Sequence, residues 1–318
     1  MNTSGNGDHH GHHFHGTHYV VSGDVDLLMA RWSKSRCLTP PGGDFYVGLR
    51  LRLRNFLENI FARVTFIDSQ EIREGLLSAV ALHRQAGLKV VSLERAYLED
   101  GEVDGRIELT RTVDDSGNDI LIPAVRNGTP MKARQFENLR NQSIALLDDV
   151  VFSGKTLVST VNELQHYGVN VHAVIAAVGV QDGVNRLKGA SFGVMDMPEH
   201  LAVNCLEEFD DVSDQVCERD FFPGVPYSGR AHYLDGSSFP YVLPFGLPGK
   251  WASIPEKEVT RFSVLCLDNA IALFSELERI NGLEIPCSMI PRPIFGFPND
   301  NTRFVSFLEE KRAECLRA

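Results

Sequence analysis

The sequence predicts an α/β fold in which a twisted parallel sheet is flanked by helices and followed by a helical C-terminal extension. Three observations carry that expectation. Arg63 to Leu98 reads as strand, helix, strand, with connections short enough for a parallel pair. Ser143 to Val180 repeats the alternation, and its second strand, Val171 to Val180, is a continuous apolar run of the kind buried at the centre of a parallel sheet. From about Phe239 the pattern changes to a Pro/Gly-rich stretch and then to apolar residues at helical spacing.

Taken in order, the first eighteen residues, MNTSGNGDHHGHHFHGTH, hold six of the eleven histidines, diluted by Gly, Ser and Asn. Such a segment is expected to have no fixed structure. Its neutral imidazoles would pick up nickel or zinc, but density alone assigns no native metal role, and an incidental tail is the plainer reading. Residues 1–43 are thus expected to form an N-terminal segment, flexible at its start. After the break CLTPPGG (Cys37 to Gly43), Phe45, Leu49, Leu53, Phe56, Leu57 and Ile60 fall at helical spacing. Within this stretch Arg50, Arg52 and Arg54 alternate with leucines, read here as solvated arginines at an element end rather than a basic patch. Arg63 to Asp68 is a short strand, Glu74 to Gly87 a helix stopped by its glycine, and Leu88 to Leu98 a second strand.

Arg106 to Val113 and Asn118 to Val125 form a predicted hairpin around the turn-rich DDSG. A polar stretch with Lys132, Arg134 and Arg140 leads to the strand Ser143 to Leu147. The helix that follows places Leu157, Val161 and Leu164 on one face and ends at Gly168. Residues 44–236 are expected to form the α/β domain and 237–318 the helical extension. In the extension, Ser253 and Glu256 have the spacing of a capping box. Val259, Phe262, Cys266, Ala270, Leu273 and Leu277 make an inner stripe stopped at Asn281-Gly282, and a last helix turns Phe304, Phe307, Leu308 and Cys315 inward.

Composition excludes several classes. The chain has 318 residues, 43% apolar and 23% charged, enough to bury a sizeable core. Its net charge of -11 argues against an extended nucleic-acid footprint, which needs Lys and Arg in excess. The six cysteines are scattered, without C-x-x-C or zinc spacing, and read as thiols of a reducing compartment. No run of about 18 apolar residues predicts a membrane span. No apolar segment follows a basic start, so a secretory signal is not expected and the cytoplasm is.

The chemistry concentrates in IALLDDVVFSGKT, Ile144 to Thr156. An ATPase phosphate loop needs G-x-x-x-x-G-K-[ST], and the position five before Gly154 is Asp149, a carboxylate where nucleotide phosphates would sit. That reading fails. Instead, a buried strand delivers Asp148 and Asp149, an apolar corner follows, and Ser153, Gly154, Lys155 and Thr156 open a helix. A helix N-terminus offers free N–H groups and partial positive charge to an anion, and Gly154 lets the backbone close around it. Carboxylates nearby suit a ribose diol. The bland alternative is a plain strand–helix turn with a solvated acidic pair and a serine cap.

Ile144 to Thr156 resembles the phosphoribosyl pyrophosphate (PRPP) loop of type I phosphoribosyltransferases: apolar strand, two acidic residues, two apolar residues, a variable position, then Ser/Thr-Gly-x-Thr. That family is a twisted parallel sheet with flanking helices and a small hood. The resemblance implies that Asp148 and Asp149 hold the ribose hydroxyls and meet magnesium only through Mg–PRPP. It implies that Val151, Phe152, Ser153, Gly154, Lys155 and Thr156 hold the 5-phosphate. In purine-salvage members the variable position is an aspartate acting as base. Phe152 cannot accept a proton, and an aromatic there is closer to the pyrimidine-operon regulator and uracil-transferase branch. The family's pyrophosphate loop follows the first sheet strand, a position that falls on DSQEIREG, with Ser69, Gln70 and Arg73 as candidates. Glu71 and Glu74 are unfavourable beside a leaving pyrophosphate unless magnesium or Arg73 offsets them. Arg106, Arg111, Arg126 and Arg134 lie where the family keeps its flexible loop. The hood candidates are Asp220, to read the edge of a base, and Phe221 or Phe222, to stack on it; the two rings can equally pack the core.

The resemblance implies a transferase that moves ribose 5-phosphate from PRPP to a nitrogenous base with release of pyrophosphate, using Mg2+. The alternative on the same fold is a non-catalytic sensor of PRPP or a nucleoside monophosphate. The expected partners are PRPP and a small nitrogenous acceptor, without nucleic acid or membrane, and the expected assembly is a homodimer.

Overall fold

A computed structural model describes residues 18–113, 119–125, 132–190, 201–232, 237–291, 294 and 296–317. The histidine-rich stretch up to residue 17, the hairpin turn at 114–117 and Arg126 lie outside them. In chain order the strands are β1 (His18–Ser22), β2 (Arg63–Ile67), β3 (Lys89–Ser92), β4 (Gly105–Arg106), β5 (Leu109–Val113), β6 (Asp119–Val125), β7 (Ser143–Val151), β8 (Asn170–Val180), β9 (Ala202–Phe209), β10 (Asp214–Cys217), β11 (Arg230–His232) and β12 (Ser238–Phe239). The helices are α1 (Val25–Ser35), α2 (Gly43–Glu58), α3 (Ser69–Gln85), α4 (Lys132–Glu137), α5 (Lys155–His166), α6 (Gln181–Lys188), α7 (Pro248–Trp251), α8 (Val259–Asn281) and α9 (Phe304–Arg317).

The described strands form three sheets. The largest is parallel, in the order β4-β3-β7-β8-β9, and a second parallel sheet has the order β10-β1-β2. A four-stranded sheet, β12-β11-β5-β6, contains the predicted hairpin as the antiparallel pair β5 and β6. The fold is therefore α/β, with parallel sheets flanked by helices and helices at the C-terminal end, as the sequence pattern leads one to expect.

Alternation along β7 and β8 places side chains on both faces of the large sheet. Ala145, Leu147, Ala173 and Ile175 join one apolar cluster; Ile144, Leu146, Val174 and Ala176 join another with Leu157, Val161 and Leu164 of α5. With both faces covered, the continuous apolar sequence of β8 is what such a strand requires.

The first of those clusters also takes in the first and last described elements, from Tyr19 to Cys315. β1 is buried along its whole length at the centre of the smaller sheet, between β10 and β2. Residues 18–43, at the end of the predicted N-terminal segment, thus supply β1, α1 and buried core side chains. The stripe Val259, Phe262, Cys266, Ala270, Leu273 and Leu277 of α8 is buried as predicted, and so are Phe304, Phe307, Leu308 and Cys315 of α9. Phe274 of α8 sits edge-on to Trp32 of α1, centroids 6.2 Å apart, and to Phe304 of α9 at 4.6 Å. The C-terminal helices share a core with the N-terminal elements.

Several local expectations differ from the structure. The capping box does not form: α8 starts at Val259, and the Ser253 hydroxyl donates to Asp214 Oδ2 at 2.8 Å instead. Arg50 is not solvated but bonds Glu218 and Asp26, and Arg54 lies over the Phe66 ring at 5.2 Å. The second strand stops at Ser92, because the chain then turns around the Glu94 side chain. All six cysteines are free thiols, and no helix among the described residues is long and apolar enough to cross a membrane.

Candidate functional site

β7 runs further than its apolar sequence suggests. The ladder to β8 continues through Asp148 opposite Ala176, Val150 opposite Val178 and Val151 opposite Gly179. The acidic pair therefore lies inside the strand, and the turn is only Phe152 to Gly154 before α5 begins at Lys155. Both aspartates are half-buried, and Asp149 N–H donates to Asp148 Oδ1 at 3.0 Å, which fixes the first carboxylate against the backbone of the second.

Gly154 is the N-cap of α5 and takes a left-handed φ of 69°. That conformation suits glycine, and a second glycine makes the corner possible. A Cβ on Gly154 would lie 2.6 Å from the Gly183 carbonyl oxygen, and one on Gly183 would lie 2.1 Å from the Phe152 carbonyl oxygen. The first turn of α6 thus packs directly on the loop, and the two glycines are what allow it. No side chain caps the start of α5. Among the predicted loop residues, Val151 is buried, the Phe152 ring packs against the core, Ser153 and Lys155 are exposed, and Thr156 is half-buried. Helix dipole and unused N–H groups favour an anion at this corner.

The acidic pair has close neighbours that its own stretch of sequence does not reveal. Asp149 Oδ2 accepts from Arg219 Nη2 at 2.8 Å, with Cys217 Sγ 3.5 Å away. On the other side of β7, strand β3 leads into the segment Leu93 to Leu98, whose start is tied to β7 by Leu93 N–H donating to the Leu147 carbonyl at 2.7 Å. Glu94, 2% exposed, accepts from the N–H groups of Tyr97 and Leu98 at 2.8 and 3.0 Å. Its carboxyl is raised from its ordinary value, by burial first, with the Asp149 charge adding to the rise. Arg106 donates to the Glu94 and Leu98 carbonyls and to Asp100 Oδ1.

The other predicted residues are placed as follows. DSQEIREG is not a loop: Asp68 is the N-cap of α3, accepting from Gln70 N–H at 2.8 Å, and Ser69, Gln70 and Arg73 are in the first turns of the helix. Ser69 Oγ donates to Asp26 Oδ2 at 2.8 Å, and the Gln70 amide to Glu74 at 2.9 Å. Arg73 donates to the Tyr97 carbonyl at 3.0 Å and to Glu102, so it reaches the segment beside β7. Asp220 Oδ1 accepts from Gly229 N–H at 2.7 Å. Phe221 and Phe222 are buried, Phe221 edge-on to Phe262 with centroids 5.0 Å apart. Their rings pack the core rather than lining an open face.

Glu94, Gly183, Arg219 and Asp24 were not among the predicted site residues. Gly183 had a signal, a glycine in the first turn of a helix, which often marks close backbone approach. Arg219 and Asp24 are set by sheet pairing and Glu94 by a turn back onto its own backbone, neither of which a linear reading gives.

No family model matches the chain, and no curated protein does. Solved structures similar over part of it include the following two. A hypothetical protein from Neisseria gonorrhoeae with bound ppGpp is 15% identical, with a TM-score of 0.29, covering 46% of this chain and 82% of that one. A purine phosphoribosyltransferase from Pyrococcus horikoshii is 14% identical, with a TM-score of 0.25, covering 44% of this chain and 89% of that one.

Proposed function

We propose that the chain binds a ribose 5-phosphate ligand at the carboxyl end of β7, with PRPP as the donor, and transfers its phosphoribosyl group to a nitrogenous base. The observation that carries this is the passage from Asp148 and Asp149 over left-handed Gly154 to the uncapped N-terminus of α5. The corner supports an anion, and the carboxylates three or more residues earlier support a diol. In the reaction the bond from the anomeric carbon to pyrophosphate breaks, the bond to the acceptor nitrogen forms through an oxocarbenium-like transition state, and the acceptor's N–H proton passes to the departing pyrophosphate or to water. Asp148 and Asp149 orient the ribose and favour its developing positive charge. The loop from Val151 to Thr156 holds the phosphate, so that binding energy away from the reacting carbon fixes its position.

Mg2+ fits as a companion of the ligand rather than a resident ion. No group of three or more His, Cys, Asp or Glu side chains suited to a metal occurs among the described residues, and Asp149 Oδ2 is already held by Arg219. Bound with PRPP, the ion would neutralise the leaving pyrophosphate.

One observation favours the sensor. The N–H groups of Tyr97 and Leu98, beside β7, bond the Glu94 carboxylate and are thereby occupied. A pyrophosphate placed there would meet a carboxylate instead of donors. On this reading the same cradle binds PRPP or a nucleoside monophosphate without turnover.

Phosphorus NMR separates the two. With Mg2+, PRPP and a pool of nucleobases, the transferase releases pyrophosphate faster than Asp149→Asn does. PRPP resonances that broaden while PRPP stays intact would point to the sensor, and spectra unchanged by the protein would remove both readings.

A further inference from the structure

The carboxyl ends of two separate parallel sheets meet at one side chain. In the small sheet Ser22 of β1 pairs with Cys217 of β10, so the residues after them, Gly23-Asp24 and Glu218-Arg219, leave adjacent strand ends together. Asp24 is fully buried. It accepts from the backbone N–H of Arg219 at 2.9 Å and from Arg219 Nη1 at 2.6 Å. The other arm of the same guanidinium, Nη2, reaches Asp149 of β7 at 2.8 Å. Asp24 is itself clamped: its N–H and that of Val25 point to Glu218 Oε2 at 3.3 and 3.4 Å, and Arg50 bonds Glu218 Oε1 at 2.9 Å and Asp26 at 2.7 Å.

We propose that Arg219, oriented by Asp24, is the positioning residue of the ribose site: it fixes the Asp149 carboxylate so that its acceptor geometry matches a diol. The inference rests on the ribose 5-phosphate reading above and holds for transferase and sensor alike. The planar guanidinium can engage two carboxylates in fixed directions, which a lysine ammonium cannot reproduce. A carboxylate already held in a fixed direction loses little freedom when a ligand hydroxyl arrives, so recognition is preorganised. Burial raises the Asp24 carboxyl while Arg219 draws it back, so each partner depends on the other.

The test compares ribose 5-phosphate with 2-deoxyribose 5-phosphate by titration calorimetry, in the intact chain and in Arg219→Lys and Asp24→Asn. In the intact chain loss of one hydroxyl-to-carboxylate bond lowers affinity about tenfold. In both variants that preference falls below about threefold, while affinity for the deoxy sugar stays within about twofold because the phosphate end is untouched. A merely structural role would weaken both sugars equally and leave the ratio intact, and that result overturns the inference while the ribose site stands. An intact chain that binds neither sugar, or shows no preference, removes the ribose reading and this inference with it. Should Arg219→Lys not fold, Asp24→Asn, nearly isosteric, carries the comparison.

Discussion

Arg73 and Glu102 show how a side chain chosen for one role can be spent on another. Arg73 is a candidate for pyrophosphate, yet its guanidinium bonds Glu102 at 2.8 Å and the Tyr97 carbonyl, securing the turn that follows β3. The Arg73 hydrogen bond holds the Glu102 carboxyl down to about 2, below its ordinary 4.5. A depressed carboxylate binds fewer protons folded than unfolded, so the stability it contributes is present above pH about 4.5 and lost as pH falls towards about 2. Glu102→Gln should therefore flatten the loss of stability over that window, read from urea midpoints at pH 5, 4 and 3. An unchanged slope would mean the pair is solvent-screened. Asp148 and Asp149 stood out in the sequence as candidates because two adjacent carboxylates interrupting an apolar run are unusual. Glu94 was not, since nothing in SLERAYL tells that its carboxylate folds back on its own backbone.

At the scale of elements, the turn between β7 and α5 depends on two glycines, one at the N-cap of α5 and one in the first turn of α6. Gly154 supplies the left-handed corner and Gly183 the close approach of α6. Gly183→Ala places a methyl into the Phe152 carbonyl, and backbone offers no easy retreat. Overpacking of this kind costs about 1–3 kcal/mol. The expected result is a lower urea midpoint together with weaker ribose 5-phosphate binding, because the cradle itself shifts. Gly189→Ala, past the end of α6, is the control, since its nearest contact is the Asn185 carbonyl at 3.2 Å rather than the loop. Equal losses in both variants would mean that an added methyl anywhere near α6 is harmful and that the loop contact is not the cause, since helix propensity alone favours alanine over glycine. The start of α3 teaches the same lesson from the other side. DSQEIREG carries a capping aspartate at its head, and the N–H of Gln70 bonds it at 2.8 Å, so the stretch winds into helix rather than loop.

For the whole molecule, the consequential fact is that first and last elements share one core. Phe274 of α8 bridges Trp32 of α1 and Phe304 of α9. Truncating it to alanine should cost about 3–5 kcal/mol. Because Asp24 and Arg219 lie just past the ends of β1 and β10, a chain weakened in this core should, on the proposed function, also lose ribose 5-phosphate affinity as denaturant rises, in step with unfolding. Intrinsic fluorescence of Trp32 and Trp251 alongside binding would show coincident transitions. Binding that outlasts the loss of fluorescence would show instead that the large sheet holds its site independently.

Periodic features could be read from the chain alone. Apolar runs set β8 and the first half of β7, the 3.6-residue stripes set α5, α8 and α9, and Gly154 marked the corner between strand and helix. These are local properties, and backbone geometry alone converts them into structure. Only the tertiary structure decided which distant residues stand beside them. Asp24 and Arg219 lie far from Asp149 in sequence; Arg219 reaches it, held by Asp24, because β1 and β10 pair in register and end at the same level. Pairing of that kind depends on burying both sheets against one core, a condition satisfied by the chain as a whole and written in no single stretch of it.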